Sequence, residues 1–222
     1  MAEFQRARSE EQREARRRAI LDTAAAMLAE MPVADVGLNG LARRVGLAKS
    51  NVLRYFDSRE AVLLELLDVS YRDWVAVLAK LLTDTDGDLP TRCHRLVDAI
   101  VASLAADPVL CDLFSSQAAV LERNISPEVA ARFKRAALVT TADLAAVVAR
   151  QVPEFGPDGA TKFCAVALLS AGSLWTHTNP SAAMLAAYEQ HSDLAAARLD
   201  FVENLTEWLT ILIRGLLAPS LG

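Results

Sequence analysis

The sequence predicts an all-α protein with a compact N-terminal group of three helices, a long fourth helix and a larger helical body. Ala and Leu dominate almost every segment, and both residue types favour helix. Apolar residues recur at three- and four-residue spacing, whereas no two-residue alternation is long enough for a strand. The 222-residue chain is 53% hydrophobic, which suffices for a substantial core and excludes a disordered polar chain.

The first predicted helix covers residues 9–31. Ser9 followed by Gln12 three positions later has the pattern of a capping box at its start. The apolar residues that follow are spaced to form one helical stripe. Pro32 cannot continue a helix and ends the segment.

Residues 38–56 predict two short helices joined by a tight turn. "LNGLARRV" gives the first helix, Gly46 and Leu47 the turn, and "AKSNVLRYF" the second helix. Val52 and Phe56 lie four positions apart and are expected to face inward, onto a small core with Leu41, Val45 and Leu47. This arrangement is a helix-turn-helix, whose second helix enters the major groove of DNA in many proteins.

The outer faces of the second short helix carry cations, an amide and hydroxyl groups. Lys and Arg suit phosphates and guanine edges, Asn suits adenine edges, and Ser and Tyr hydroxyls suit phosphates. The residues expected there are Lys49, Ser50, Asn51, Arg54 and Tyr55.

The charge is divided unequally along the chain. Its net value is −5, but residues 1–60 hold 11 Lys and Arg against 9 Asp and Glu, while residues 61–222 hold 12 against 19. Such asymmetry is typical of a chain that meets an anionic partner at one end only.

Six arginines before and within the first helix are interleaved with glutamates: Arg6, Arg8, Arg13, Arg16, Arg17 and Arg18. One interpretation is a solvated helix face with ion pairs such as Glu14–Arg18. The other is an arm lying along DNA phosphates. We expect a mixture, with Arg6 and Arg8 as the better phosphate ligands because no carboxylate lies between them.

Residues 16–67 resemble the DNA-binding domain of the TetR (tetracycline-repressor-like) family of bacterial transcriptional regulators. The resemblance rests on "RRAILDTAAAMLAE", "LARRVGLAKSNVLRYF" and "DSREAVLLELL", which opens the long fourth helix. It implies a DNA-binding domain over residues 1–57 and a regulatory domain over residues 58–222. The implied DNA contacts are Arg43, Arg44, Lys49, Ser50, Asn51, Arg54, Tyr55 and Arg59.

Tyr55 and Phe56 match the aromatic pair that ends the recognition helix in the family, and Arg59 stands where a Lys is usual. The chain departs from the family pattern at three places. Gly37, Asn39 and Gly40 fall where the first helix of the motif starts, and Leu53 replaces a Tyr that touches phosphate in many members. Ala48 replaces the usual Ser at the start of the recognition helix, which weakens that helix end by about 1 kcal/mol.

The remaining helices are expected at about 58–81, 90–106, 108–122, 126–151, 157–177 and 193–217, with a solvated turn at "TDTDGDLP" (83–90). In the fourth helix, helical spacing predicts a buried side that ends at Leu81. The last helix carries a broad apolar stripe that includes Leu205, Leu209 and Ile213. Core within one chain and pairing with a second subunit both explain that stripe, and we favour a dimer.

The resemblance further implies a ligand cavity among the middle helices and a homodimer through the last two long helices. The residues expected at the cavity are Tyr71, Trp74, Phe114, Gln117, Leu121, Phe133, Trp175 and His177. Aromatic walls with few polar groups suit a small apolar or amphipathic effector. Ordinary core packing explains the same aromatics.

Other classes of protein are disfavoured by the sequence. Paired catalytic carboxylates, a phosphate loop and a nucleophile with its base are missing, so no enzyme, cofactor or metal site is expected. The longest apolar run (163–175) is shorter than the roughly 20 residues of a membrane span, so we expect a soluble, cytoplasmic protein.

The predicted function is a ligand-responsive repressor that binds a palindromic DNA operator as a homodimer. The alternative is a helical small-molecule sensor or carrier that acts through a protein partner.

Overall fold

The computed structural model describes the backbone of residues 2–218 and the side chains of residues 10–218. Throughout that range the regular structure is helical and no strand occurs. The all-α prediction is therefore confirmed. The elements in chain order are α1 (Ala2–Leu28), α2 (Leu38–Arg44), α3 (Lys49–Val52), α4 (Arg59–Leu81), α5 (Leu89–Ala105), α6 (Pro108–Ser116), α7 (Pro127–Gln151), α8 (Gly156–Thr178), α9 (Ala182–Gln190), α10 (Ser192–Ala195) and α11 (Phe201–Leu217).

The chain packs into two compact units. The first contains residues up to Val69 together with Ser116–Lys134, and the second contains Ser70–Ser115 together with the residues from Arg135 onward. The first unit thus holds the helix-turn-helix and the first half of α4. Helix α6 runs on into a π-helical segment, Gln117–Leu121, at the point where the chain passes from one unit to the other.

The turn between α2 and α3 is set by Gly46, whose φ of 73° is in the left-handed region. The Leu47 N–H donates to the Ala42 carbonyl at 2.9 Å, and the Gly46 N–H donates to the Arg43 carbonyl at 3.2 Å. These two bonds form a Schellman motif, which satisfies carbonyls that the end of α2 leaves open. Glycine is favoured here because a Cβ disfavours the left-handed region.

The recognition segment, Lys49–Phe56, contains a single turn of α-helix and continues as tighter turns. Helix α3 ends at Val52, and the Tyr55 and Phe56 N–H groups both donate to the Val52 carbonyl, at 2.9 and 3.1 Å. Its N-cap, Ala48, offers no side-chain hydrogen bond. Val52 and Phe56 are buried as predicted, because their four-residue spacing places both on the inner side.

The second unit is built around α11, which packs on both α5 and α8. Asp88 begins α5 by accepting a hydrogen bond from the Thr91 N–H at 3.0 Å. In α8, a Cβ at Gly172 would lie only 3.2 Å from the backbone carbon of Phe114. Glycine therefore allows α8 to approach the end of α6 closely. Cys93, Cys111 and Cys164 are free thiols and buried.

Four sequence expectations were wrong. Helix α1 begins at Ala2, so Ser9 lies inside it and is not a cap. The chain between α8 and α11 forms two further helices that were not predicted, and α11 begins at Phe201 and not near 193. Asp200 caps α11 by accepting from the Glu203 N–H at 2.8 Å. Leu81 was expected to be buried but is exposed.

We predict opposite stability effects for the same substitution at two glycines of the helix-turn-helix. Gly46→Ala should lower the free energy of unfolding by about 1–2 kcal/mol, because a Cβ strains a left-handed residue even where no atom lies within 4 Å. Gly40→Ala, inside α2, should raise it by about 0.5–1 kcal/mol. Urea denaturation of the full chain measures both, and equal effects would contradict the assigned role of Gly46.

Candidate functional site

The recognition segment exposes most of the polar residues that the sequence assigned to it. Lys49, Ser50, Asn51 and Arg54 are exposed, and Tyr55 is half-buried. Val52 is buried at the end of α3 and Phe56 in the turns that follow it, and these two inward anchors leave the polar side chains of the segment toward the surface. The structure thus brings these five predicted residues together on one short stretch of surface.

A cleft of about 920 Å³ lies between α1 and the recognition segment, within the first unit. Arg13 and Arg16 line it from α1, opposite Asn51, Arg54 and Tyr55. None of the three guanidinium groups forms a hydrogen bond or ion pair with a residue that the structure describes. Three unpaired cations around one cleft create a field that suits an anion such as a phosphate.

Of the arginines before and within the first helix, Arg6 and Arg8 were predicted to be better phosphate ligands than Arg13 and Arg16. Arg6 and Arg8 lie outside the residues whose side chains the structure describes. Arg13 and Arg16 are three positions apart, so they share a face of α1. Which of the arginines in α1 faces the recognition segment depends on how the two helices pack, and the sequence alone does not encode this directly.

Arg17 holds the recognition segment from inside the unit. Its Nη1 donates to the Tyr55 carbonyl at 2.6 Å, and its Nη2 pairs with the Glu65 carboxylate on α4. Its guanidinium carbon lies 4.4 Å from the centre of the Phe56 ring, which is a cation–π contact. One side chain therefore joins α1, the end of the recognition segment and α4.

Arg59 has a second internal role at the start of α4. Its Nε and Nη2 donate to the carbonyls of Val36 and Val33, and its Nη1 lies 3.1 Å from Glu60 Oε1. The side chain is mostly buried. Its guanidinium thus fastens α4 to the chain between α1 and α2.

The two arginines at the end of α2 differ in their surroundings. Arg44 forms a two-pronged ion pair with Glu30, and its hydrogen bond holds the pKa of the Glu30 carboxyl below its usual value. Both partners are exposed, so the pair has little effect on stability. Arg43 is exposed without a partner among the described side chains.

In the second unit, three of the predicted ligand residues form one aromatic cluster. The Tyr71 ring stacks on Trp74 at 6.1 Å and meets Phe114 edge-on at 5.4 Å. The Tyr71 hydroxyl lies 3.1 Å from Thr141 Oγ1, and burial raises the pKa of Tyr71 to about 12. Trp74 Nε1 donates to Ser103 Oγ at 2.9 Å. Each polar atom of the cluster thus has a partner.

The other predicted ligand residues are elsewhere. Trp175 packs edge-on against Phe201 at 5.3 Å, and His177 is exposed near the end of α8. Gln117, Leu121 and Phe133 belong to the first unit. There Gln117 donates to Glu122 at 2.8 Å, and Leu121 and Phe133 are buried. The structure therefore assembles Tyr71, Trp74 and Phe114 but does not join all eight residues within one unit.

Helices α8 and α11, which pack on each other, both carry large apolar side chains on the surface. Val166 and Leu169 are exposed on α8, and Val202 and Ile211 on α11. Leu169 is 75% exposed. Val166 and Leu169 are three positions apart and share one face of α8, whereas Val202 and Ile211 are nine positions apart and lie on opposite sides of α11, so at most one of them adjoins that face. An exposed apolar surface of this kind is typical of an interface with another chain.

Among the side chains of residues 10–218, no three His, Cys, Asp or Glu lie close enough together to hold a metal ion. No helix within residues 2–218 is both long and apolar enough to cross a membrane.

Two family models cover most of the chain. Residues 20–66 match "Bacterial regulatory proteins, tetR family", and residues 68–220 match "Tetracyclin repressor-like, C-terminal domain". The chain is also similar to the HTH-type transcriptional regulator EthR of Mycobacterium tuberculosis, with 42% identity over 71 residues. That match spans 31% of this chain and only 33% of the relative.

Solved structures show the same fold at low sequence identity. A possible TetR family transcriptional regulator from Streptomyces coelicolor aligns with a TM-score of 0.58 and 20% identity, over 90% of this chain and 98% of that one. The TetR family regulator PfmR from Thermus thermophilus aligns with a TM-score of 0.54 and 18% identity, over 88% and 97%.

We predict that Arg17→Gln lowers the free energy of unfolding by about 2 kcal/mol, because it removes charged hydrogen bonds to two partly buried acceptors. Arg18→Gln is the matched control: Arg18 is exposed, so its loss should change stability by about 0.5 kcal/mol at most. Urea denaturation measures both variants.

A double-mutant cycle with Glu65→Gln then isolates the Arg17–Glu65 pair. We expect a coupling energy of about 1 kcal/mol. Equal stability of the Arg17 and Arg18 variants would show that Arg17 does not hold the recognition segment.

Proposed function

Because this chain belongs to the TetR family of bacterial regulatory proteins, we propose that it is a homodimeric transcriptional repressor, released from a palindromic DNA operator by a small apolar or amphipathic effector. Regulators of this family are non-enzymatic transcription factors. Residues 1–57 would read DNA and residues 58–222 would bind the effector and the second subunit. A DNA-binding role agrees with a cytoplasmic location.

The observation that carries the proposal is the row of exposed, unpaired cations and amides beside the Gly46 turn. Asn51 and Arg54 would contact base edges, because amides and guanidiniums match adenine and guanine. Lys49, Ser50, Tyr55 and Arg43 would hold phosphates. In a dimer the two recognition segments would enter successive major grooves, about 34–36 Å apart.

Three arginines outside the recognition segment would have distinct roles. Arg13 and Arg16 would bind the backbone phosphate beside the groove, since their cleft opens next to Asn51 and Arg54. Arg59 would have to give up two backbone carbonyls to reach DNA. We therefore propose that Arg59 positions the recognition segment and does not contact DNA. Arg44 would contact a phosphate only after breaking its ion pair with Glu30.

The effector would bind in the second unit near the cluster of Tyr71, Trp74 and Phe114. Trp175 and His177, in the same unit, remain proposed ligand contacts, whereas Gln117, Leu121 and Phe133 belong to the first unit. Helix α4 contains residues of both units, so it is the element through which effector binding would lower DNA affinity. The effector changes that affinity only as far as it binds the two states differently.

The test of the function is binding to the DNA that flanks the gene of this protein, followed by fluorescence anisotropy across a salt series. Tight binding that resists scrambled competitor DNA and weakens steeply with salt would support a sequence-reading regulator. If the flanking DNA is not bound in this way, selection of bound sequences from random DNA tests whether the protein prefers any sequence. Sequence-blind binding in both experiments would refute the proposal and favour a sensor that acts through a protein partner.

We predict that four substitutions in the recognition segment fall into two classes. Lys49→Ala and Tyr55→Phe should weaken binding to operator and scrambled DNA alike, because phosphate contacts carry no sequence information. Asn51→Ala and Arg54→Ala should weaken operator binding by about 1–3 kcal/mol and relax the preference at individual base pairs. Lys80→Ala, an exposed lysine of the second unit, is the control and should leave binding unchanged. Unchanged affinity and preference in all four variants would refute the assignment.

We predict that Leu169→Asp separates the subunits, because it places a charge in the apolar surface of α8 and α11 proposed to pair across the dimer. Leu138→Asp on α7 is a matched control, since Leu138 is 63% exposed and lies outside both helices. Light scattering should give a dimer mass for the wild type and the control, and a monomer mass for Leu169→Asp. A dimer in all three would exclude this interface.

A further inference from the structure

A groove of about 1080 Å³ runs between α4 and α5, and all its walls belong to the second unit. Lining residues recur at three- and four-residue spacing on both helices, as expected where two helical faces border one channel. Along α4 it extends from Ser70 to Leu81, about 16 Å at a rise of about 1.5 Å per residue. Its volume is that of a small-molecule site.

The floor of the groove is apolar and open to solvent. Trp74, Val77 and Leu81 line it from α4, and Ala99 and Ala102 line it from α5. Val77 is 47% exposed and Leu81 is 57% exposed. Leaving two large aliphatic side chains in water is unfavourable, so this floor would gain from contact with an apolar body.

The rim of the groove carries the charge. Its carboxylates are Asp73, Asp98 and Asp107, and its basic side chains are His94 and Arg95. Two of these five groups are already used. Arg95 pairs with Asp84 Oδ2 at 3.1 Å and donates to its carbonyl, and Asp107 accepts from the Leu110 N–H at 3.0 Å.

Three groups remain: Asp73 on α4, and His94 and Asp98 on α5. Neither carboxylate forms a hydrogen bond or ion pair with any residue that the structure describes. The rim therefore offers two unsatisfied carboxylates, while its one guanidinium is already neutralised by Asp84. This electrostatic balance favours a positively charged ligand.

We infer that the groove between α4 and α5 binds a small organic cation with an apolar body. The apolar part lies along Val77, Leu81 and Ala102, and the cationic group lies between Asp73 and Asp98, next to the indole of Trp74. Anionic amphiphiles such as fatty acids are rejected by the same carboxylates.

The inference deepens the proposed function, because it specifies the effector class, and its regulatory meaning rests on that function. Binding itself is independent of DNA. The first experiment therefore uses the full-length protein without DNA and compares two amphiphiles of equal chain length, decyltrimethylammonium and decanoate, both below their micelle-forming concentrations. Isothermal titration calorimetry gives the affinity of each.

Decyltrimethylammonium should bind more tightly than decanoate. Replacing both rim carboxylates (Asp73→Asn with Asp98→Asn) should weaken cation binding about threefold to tenfold, because two partly exposed charge contacts are lost. Asp193→Asn, an exposed carboxylate outside the groove, is the matched control and should have no effect. Ala102→Phe fills the floor at an exposed position and should abolish binding.

Any of three results overturns the inference: the two amphiphiles bind equally, the affinity for the cation is unchanged in the double Asp variant, or the cation does not bind. Light scattering tests whether a second copy of the chain occupies the groove. If Val77→Glu lowers the measured mass of the protein, the groove is an interface with a second copy and not a ligand site. Operator binding is measured separately. Cation binding without operator binding would refute the proposed function and leave the groove assignment standing. Operator binding without cation binding would refute the groove assignment and leave the proposed function standing.

Discussion

The arrangement of the recognition segment depends on the guanidinium of Arg17. The recognition segment has only one turn of α-helix and no side-chain cap, so it is far too short to be stable alone. Arg17 supplies what the segment lacks: it binds the Tyr55 carbonyl, covers the Phe56 ring and is itself fixed by Glu65. The orientation of Asn51 and Arg54 is thus set by contacts inside the first unit.

Residues that look alike in the sequence therefore divide into two groups. Arg17 and Arg59 donate their hydrogen bonds to backbone carbonyls and carboxylates inside the first unit. Arg13, Arg16 and Arg54 have no such partners among the described residues and face a cleft. A guanidinium has five donors in a fixed fork, so it can join several elements at once or grip a phosphate. Only the packing of the helices decides which.

This division marks the limit of what the sequence predicted. The Gly46 turn and the inward pair Val52 and Phe56 were predictable, because backbone conformation and four-residue spacing are local properties. The roles of Arg17 and Arg59 were not, since their partners are 23–48 positions away in the chain. The exposure of Leu81 was missed for a related reason. Helical spacing identifies an apolar stripe on a helix, but it does not show where the elements packed against that stripe end.

Helix α4 gives the two proposals a common physical basis. Glu65, which fixes Arg17, and Asp73, on the groove rim, are eight residues apart on this helix, about 12 Å at a rise of about 1.5 Å per residue. Under the proposed function, a ligand that moves α4 by a fraction of an ångström changes the geometry of the Glu65–Arg17 pair, and through it the hold on Tyr55. Such coupling is reciprocal, so operator binding must weaken effector binding by the same factor. The shortness of α3 is then an advantage. Because the recognition segment is held mainly by contacts from α1 and α4, a small movement of α4 is enough to loosen it.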